Sequence, residues 1–260
     1  MRLLVSSGDL HSHGEAPYYG VVARAFEEAG LGVPMLVVPG NHDVEPGGVR
    51  DAAPGRRLFE TAVGPRRFAL RIGPLWLAGL DDASGPLDPE DVAWLEAGLA
   101  RHQGPWLLVC HKPPRRVDAP GAPTIAGADG LVALLERRPP EAVVSGHLRE
   151  DADATVRGVR YLVNVQGGDF EKKRWFAPPH FRLVLADVDA AGRVTFRPVT
   201  LRRRSSSRTA WRQFCVRAWA EGRKGIGRVL AAPGAALLAL ADLARPASRR
   251  QEAESAGRTR

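Results

Sequence analysis

Four polar side chains of metal-binding type each come shortly after an apolar run in this chain. One carboxylate, one amide oxygen and two imidazoles suit a hard-to-borderline divalent cation, and manganese, iron and zinc all remain open. The side chains are Asp9, Asn41, His111 and His147. The apolar runs that precede them are residues 3–5, 35–38, 106–110 and 142–144.

These apolar runs predict the elements that position the four side chains. Short apolar runs bounded by turn formers are typical of buried strands. In an open α/β sheet, residues just beyond the carboxyl ends of the strands gather in one crevice. Taken singly, each of the four has an ordinary explanation as a turn, loop or core residue. Together and in this order, they predict one metal site.

The order of the motifs resembles the calcineurin-like metallophosphoesterase family. The motifs are GD at 8–9, GNHD at 40–43, a strand ending in H at 111, and GH at 146–147. The resemblance covers about residues 1–200 and implies a four-layer αββα sandwich, two mixed β-sheets flanked by helices. It also implies hydrolysis of phosphate esters by a metal-activated water, with phosphodiesters favoured over monoesters.

Two parts of the family pattern are missing. The family places a D-x-H strand before the GD motif, whereas this sequence begins at Met1 within the GD strand. The closing GH-x-H motif has Arg149 in place of its second histidine. By resemblance, all three absent ligands belong to the first metal of a dinuclear site, and the second metal keeps its four. We therefore expect one intact metal site and a weakened first one.

Two explanations for the absent D-x-H strand stay open, a start codon assigned too late and a truncated gene. Loss of an inner strand would expose a sheet edge and part of the core, which favours the misplaced start. The presence of Arg149 in place of the second histidine needs a separate explanation. A guanidinium stays protonated and cannot be a metal ligand, but it can form two parallel hydrogen bonds with phosphate oxygens. We therefore hypothesise that Arg149 supplies positive charge at the first metal position.

The GNHD motif adds two candidate catalytic residues. By resemblance, His42 protonates the leaving oxygen, a role that suits an imidazole near neutral pH. Asp43 is a candidate for orienting the His42 ring, and it also reads as a turn or cap residue, as does the pair Asp81-Asp82. His11 and His13 follow Asp9 closely, and we expect them in a solvated loop.

Composition agrees with an α/β domain that has one sizeable core. The chain has 260 residues, 44% of them hydrophobic, and its two cysteines do not indicate a disulfide framework. Asp88 is expected to cap the second predicted helix. The predicted helices cover residues 19–29, 89–101 and 130–137, and a predicted hairpin covers 180–187 and 193–199.

The positive charge is concentrated in the last 60 residues. Residues 1–200 hold 23 Lys+Arg and 25 Asp+Glu, a net charge of −2, whereas residues 201–260 hold 14 and 4, a net charge of +10. We divide the chain accordingly into a metallophosphoesterase domain and a basic C-terminal extension. The nearly neutral domain argues against a nucleic-acid-binding core.

The extension predicts amphipathic helices around residues 211–219 and 229–241. Arginines beside tryptophans fit a helix on an anionic membrane surface, and the alternative is packing on the core or self-association through residues 208–244. The apolar run 3–5 is too short for a signal peptide, so we expect a cytoplasmic protein, with peripheral membrane attachment left open. A non-catalytic or weakly active relative that acts by binding is the alternative function.

Overall fold

The computed structural model describes eight stretches of the chain. They are residues 2–11, 14–30, 32–45, 52–117, 124–148, 151–163, 180–202 and 228–231. The strands in these stretches are β1 (Arg2–Ser6), β2 (Met35–Val37), β3 (Phe68–Ile72), β4 (Leu75–Gly79), β5 (Trp106–Val109), β6 (Ala142–Ser145), β7 (Ala152–Val156), β8 (Val159–Val163), β9 (His180–Val188), β10 (Val194–Arg202) and β11 (Arg228–Ala231). The helices are α1 (Ala16–Ala29), α2 (Asn41–Val44), α3 (Ala53–Ala62), α4 (Pro89–Ala100) and α5 (Asp129–Arg137).

The strands form two mixed sheets. The five-stranded sheet has the order β10-β9-β11-β1-β2, and β1 pairs in parallel with both of its neighbours. The six-stranded sheet has the order β3-β4-β5-β6-β8-β7, with a parallel centre and an antiparallel strand at each edge. The parallel inner strands β5 and β6 are buried throughout, whereas the edge strands alternate between covered and exposed residues.

Three apolar clusters define the layers of the fold. The cluster between the two sheets includes Leu3, Val5, Leu77, Leu107 and Val144. The cluster under α4 and α5 includes Leu95, Leu99, Trp106, Leu131 and Tyr161. The cluster under α1 and α3 includes Leu4, Tyr19, Val22, Val37 and Phe59. Helices therefore cover the outer face of each sheet, which confirms the expected αββα sandwich.

The predicted helices correspond to α1, α4 and α5, and the hairpin corresponds to β9 and β10. The Asp88 side chain accepts a hydrogen bond of 2.9 Å from the backbone N–H of Glu90, and Pro89 stands in the first turn of α4. That cap begins the helix where the sequence indicated. Neither the short helix α2 nor the helix α3 was predicted from the sequence.

The helix predicted for residues 229–241 is wrong over residues 229–231, which belong to a strand. That strand is β11, which pairs in parallel with β1 and antiparallel with β9. An inner position between two strands offers hydrogen-bond partners to both sides of a backbone, and this pairing outweighs the helical preference of an Ala/Leu-rich segment. The rest of the predicted amphipathic extension lies outside the described residues, as does most of segment 208–244.

Of the described helices, none has the length and apolar character that a membrane span requires. The proposed membrane contact and self-association of segment 208–244 stay predictions.

Candidate metal centre

Each of the four predicted ligands lies just beyond the carboxyl end of a parallel strand. Asp9 and Asn41 follow β1 and β2 of the five-stranded sheet, and His111 and His147 follow β5 and β6 of the six-stranded sheet. The structure brings all four to the rim where the two sheets meet. The site is thus built from both halves of the sandwich.

Three donor atoms form a close triangle at this rim. The His111 Nε2 atom lies 3.0 Å from the Asn41 Oδ1 atom and 3.1 Å from the His147 Nδ1 atom. The His147 Nδ1 atom lies 3.0 Å from the same Asn41 oxygen. The carboxylate of Asp9 stands beside the triangle, with its Oδ2 atom 3.5 Å from His111 Nε2.

The tautomer of His111 is fixed by its second nitrogen. The Nδ1 atom lies 2.8 Å from the backbone carbonyl of Ser7, an acceptor, so Nδ1 carries the proton. The Nε2 atom therefore presents a lone pair to the triangle. Burial lowers the pKa of His111, which is 1% exposed, so that the ring stays neutral at neutral pH.

The second imidazole of the triangle is also neutral near pH 7. Desolvation by burial is the main cause that lowers the pKa of His147 to about 4, and the nearby Lys112 charge adds to it. A neutral imidazole is the form that binds metals. Both rings are therefore ready to act as ligands without first losing a proton.

The spacing of the triangle is the one that a bound cation would give to its ligands. The His111 Nε2 and Asn41 Oδ1 atoms are both acceptors, and two acceptors 3.0 Å apart repel each other unless positive charge lies between them. A cation that holds two donors at about 2.1 Å and about 90° places those donors about 3.0 Å apart. Within the described ranges, His, Cys, Asp and Glu side chains alone form no group of three that could hold a metal ion.

Two of the four residues have an unusual backbone. Asp9 has a φ of 55° and His147 a φ of 62°, values in the left-handed region that non-glycine residues rarely adopt. Such strain persists only where surrounding contacts enforce it, and it concentrates at functional sites. For Asp9, one such contact is the N–H of His42, which donates to Asp9 Oδ1 at 3.1 Å.

Asp43 organises the loops that carry Asp9 and Asn41. Its carboxylate is fully buried and accepts hydrogen bonds from the backbone N–H groups of Asp9, Leu10 and Gly40, at 2.7, 2.8 and 2.8 Å. These described partners are backbone amides instead of the His42 ring that the sequence suggested. Burial, with a smaller contribution from the Asp9 charge, raises the pKa of Asp43 to about 7.

The two loops also touch through their glycines. A Cβ atom on Gly8, which has a φ of 93°, would lie 2.3 Å from the backbone nitrogen of Gly40. A Cβ atom on Gly40 would lie 2.1 Å from Asp9 Oδ1. Only glycine permits this approach, so the GD and GNHD motifs need their glycines for packing as much as for turning.

The remaining predicted residues have different outcomes. His42 is an exposed residue on α2. The side chain of His11 is 5% exposed and packs edge-on against the Tyr19 ring, so the expectation of a solvated loop is wrong for this residue. Arg149 and His13 lie outside the described residues.

The sequence predicts an ordinary turn or cap residue at one carboxylate near the site, and the structure shows that this carboxylate is buried. Asp82, 2% exposed, accepts hydrogen bonds from the backbone N–H groups of His111 and Lys112, both at 2.7 Å. Its only sequence signal is an acidic pair directly after an apolar run, the residues Asp81-Asp82 after 75–80. That signal does not identify the partner, which lies about 30 residues further along the chain.

Comparison with known proteins identifies the family of this chain. The profile of the calcineurin-like phosphoesterase family matches residues 2–149, more than half of the chain. The chain therefore belongs to the calcineurin-like phosphoesterase family. A curated relative from Fibrobacter succinogenes, named "Probable cyclic nucleotide phosphodiesterase", is 28% identical over 118 residues. The match covers 44% of this chain and 43% of that protein, so the chain spans less than half of the relative's length.

Similarity to solved structures is distant. A candidate 5′-nucleotidase from Staphylococcus aureus has 12% identity and a TM-score of 0.34, and the match covers 54% of this chain and 30% of that one. Vacuolar Protein Sorting 29 from Cryptosporidium parvum has 14% identity and a TM-score of 0.32, with coverage of 78% and 97%. Similarities at this level carry no weight for function.

Proposed function

We propose that this chain hydrolyses phosphate esters with the help of one divalent cation, and that phosphodiesters are its preferred substrates. Asp9, Asn41, His111 and His147 hold the cation. The triangle of His111 Nε2, His147 Nδ1 and Asn41 Oδ1, with all three distances between 3.0 and 3.1 Å, is the observation that carries the proposal. Membership of a phosphoesterase family supports the reaction type.

The chemistry is divided between the cation and the protein. A bound divalent cation would supply Lewis acidity, which acidifies water and withdraws charge from phosphoryl oxygens. The protein keeps His111 neutral and fixes its tautomer through the Ser7 carbonyl. Asp9 adds the negative charge that a cation site needs, and its Oδ1 atom holds the start of α2 through the N–H of His42.

His42 is the proposed general acid. Its exposed position on α2 leaves the ring accessible to a substrate, while its backbone is attached to Asp9. A proton donated to the leaving oxygen as the phosphorus–oxygen bond breaks lets that oxygen depart as an alcohol. Asp43 supports this arrangement through the backbone of the surrounding loops, which replaces the ring-orienting role suggested by the sequence.

The preference for phosphodiesters rests on the relative and on the family resemblance. The Fibrobacter protein carries the name of a cyclic nucleotide phosphodiesterase. Arg149 remains a proposed source of positive charge for a phosphate oxygen. If Arg149 stands in for a first metal, Arg149→Ala should weaken substrate binding while the affinity for the single cation stays unchanged.

The experiment is hydrolysis of bis(4-nitrophenyl) phosphate and of 4-nitrophenyl phosphate with added Mn²⁺, each against a His147→Ala control. Activity on the diester that the control abolishes, with a slower monoester reaction, is the expected result. Faster hydrolysis of the monoester would reject the diester preference. Equal rates in the wild type and in His147→Ala would reject the catalytic site and favour a non-catalytic binding protein.

A further inference from the structure

Asp82 stands at the point where the metal centre joins the six-stranded sheet. It lies in the loop after β4, next to the end of β5, the strand that leads to His111. Each of its two oxygens accepts one hydrogen bond of 2.7 Å. The Oδ1 atom accepts from the backbone N–H of His111, and the Oδ2 atom accepts from that of Lys112. The two oxygens of one buried carboxylate thus accept hydrogen bonds from two successive backbone amides.

These hydrogen bonds fix the backbone that aims the His111 ring. Strand pairing ends at the carboxyl end of β5, so the amides beyond it need other partners. The His111 carbonyl in turn accepts the N–H of Gly146 at 2.9 Å. Gly146 directly precedes His147, so one chain of contacts runs from Asp82 through the backbone of one proposed ligand to the next.

The loop that carries Asp82 is itself held on its other side. Asp81 forms an ion pair with Arg56 at 3.0 Å and accepts the backbone N–H of Ala83 at 3.1 Å. The Ala83 carbonyl accepts a hydrogen bond of 2.7 Å from the Lys112 ammonium. These contacts therefore anchor the loop that carries the Asp82 carboxylate.

We propose that Asp82 is a positioning residue of the metal centre, which sets the direction of the His111 imidazole and, through Gly146, that of His147. The proposal rests on the proposed function, because it assumes that these two imidazoles hold the cation. Partners one step removed from a metal typically contribute 10–100-fold to metal affinity. Asp82 differs from such partners only in acting on the ligand's backbone instead of its ring.

Asp82→Asn is the decisive substitution. The amide keeps the shape of the side chain but offers one acceptor oxygen, and its NH₂ group faces the second backbone donor. Asp88→Asn is the matched control, because Asp88 also accepts a backbone N–H, at 2.9 Å, but does so on the exposed cap of α4. Co²⁺ titration followed by visible absorbance reports both the affinity and the ligand geometry.

The expected result is a 10–100-fold weaker Co²⁺ affinity and an altered absorbance band in Asp82→Asn, and neither change in Asp88→Asn. With His111→Ala added, the combined loss should be smaller than the product of the single losses, since only His147 then depends on Asp82. The proposal would be overturned if the two affinity losses multiplied in full in the double variant. It would also be overturned if Asp82→Asn bound Co²⁺ as tightly as the wild type.

Amide hydrogen exchange separates this proposal from the proposed function. If the wild type binds no Co²⁺, the metal site is rejected and the positioning role falls with it. If it binds Co²⁺, the amides of His111 and Lys112 should exchange faster in metal-free Asp82→Asn than in the metal-free wild type, with global unfolding unchanged. Unaltered exchange at both amides would reject Asp82 alone and leave the metal site standing.

Discussion

The Asn41 amide oxygen and the His111 imidazole nitrogen lie 3.0 Å apart, although the two residues follow strands of different sheets. The His111 Nδ1 atom and the Ser7 carbonyl, 2.8 Å apart, also join the two halves of the sandwich. A cation bound here would hold β2 and β5 together at their carboxyl ends. If the proposed cation binds, its binding should therefore be coupled to folding.

Added Mn²⁺ should raise the unfolding temperature. A ligand present at 100 times its dissociation constant stabilises the folded state by about 2.7 kcal/mol, which corresponds to about 5–10 °C for a domain of this size. Thermal unfolding followed by circular dichroism, with Mn²⁺ and with a chelator, measures the increment. His147→Ala should lose most of it, and an equal increment in that variant would contradict the proposed ligand set.

The sequence predicted the position of the four proposed ligands because the signal for each is local. An apolar run that ends in a polar turn specifies both a buried strand and the residue beyond its end, as for His111 after β5. Local patterns also placed the α4 cap and the β9–β10 hairpin, whereas the sandwich was predicted from the resemblance to the family. None of these predictions needed knowledge of distant partners.

The features that the sequence did not reveal depend on partners far along the chain. Asp82 and Asp43 accept backbone amides, which every residue carries, so no residue type or spacing identifies their partners. The strand β11 pairs with β1 from more than 200 residues away. A short apolar segment reads equally as helix or strand until that partner is known.

His42→Gln should impair substrates with poor leaving groups selectively. A nitrophenolate leaves without protonation, whereas an alkoxide needs a proton from a general acid, a contribution of about 10²–10⁴-fold. The ratio of wild-type to variant rates should therefore be near one for bis(4-nitrophenyl) phosphate and large for a dialkyl phosphate. Mn²⁺ affinity should stay unchanged. An equal loss on both diesters would show that His42 acts by another route.

Gly8→Ala should destabilise the protein more than a glycine substitution with the same backbone strain elsewhere. Gly158, in the turn between β7 and β8, has a φ of 80° and no atom within 4 Å of an added Cβ, so Gly158→Ala measures strain alone, about 1–2 kcal/mol. Gly8→Ala adds the clash with Gly40. Chemical denaturation of both variants tests the difference, and equal losses would mean that the two loops can separate without penalty.

The contribution of Asp43 to the stability of the metal-free protein should fall as the pH rises from about 4 to about 7, whereas the lowered pKa values of His111 and His147 act in the opposite direction. Burial, with the Asp9 charge, raises the pKa of Asp43 from 3.8 to about 7, so the folded chain keeps a proton that the unfolded chain has released. This contribution is then highest below the unfolded pKa and falls towards the folded pKa. In chelator-treated denaturation curves, the free energy of unfolding of Asp43→Asn should therefore change with pH in a more positive direction than that of the wild type. The same slope in both proteins would assign the titration to other groups.

Removal of β11 should weaken the protein more than removal of the residues beyond it. A chain ended after residue 231 keeps the strand between β1 and β9, whereas a chain ended after residue 227 leaves both strands with unpaired backbone groups. Exposed edges invite association with other chains. We expect a lower free energy of unfolding and concentration-dependent aggregation only in the shorter chain, measured by denaturation and light scattering.

Because β1 leads directly to Asp9, the shorter chain should also bind Mn²⁺ more weakly. Equal behaviour of the two truncated chains would show that the β1 edge needs no strand from residues 228–231.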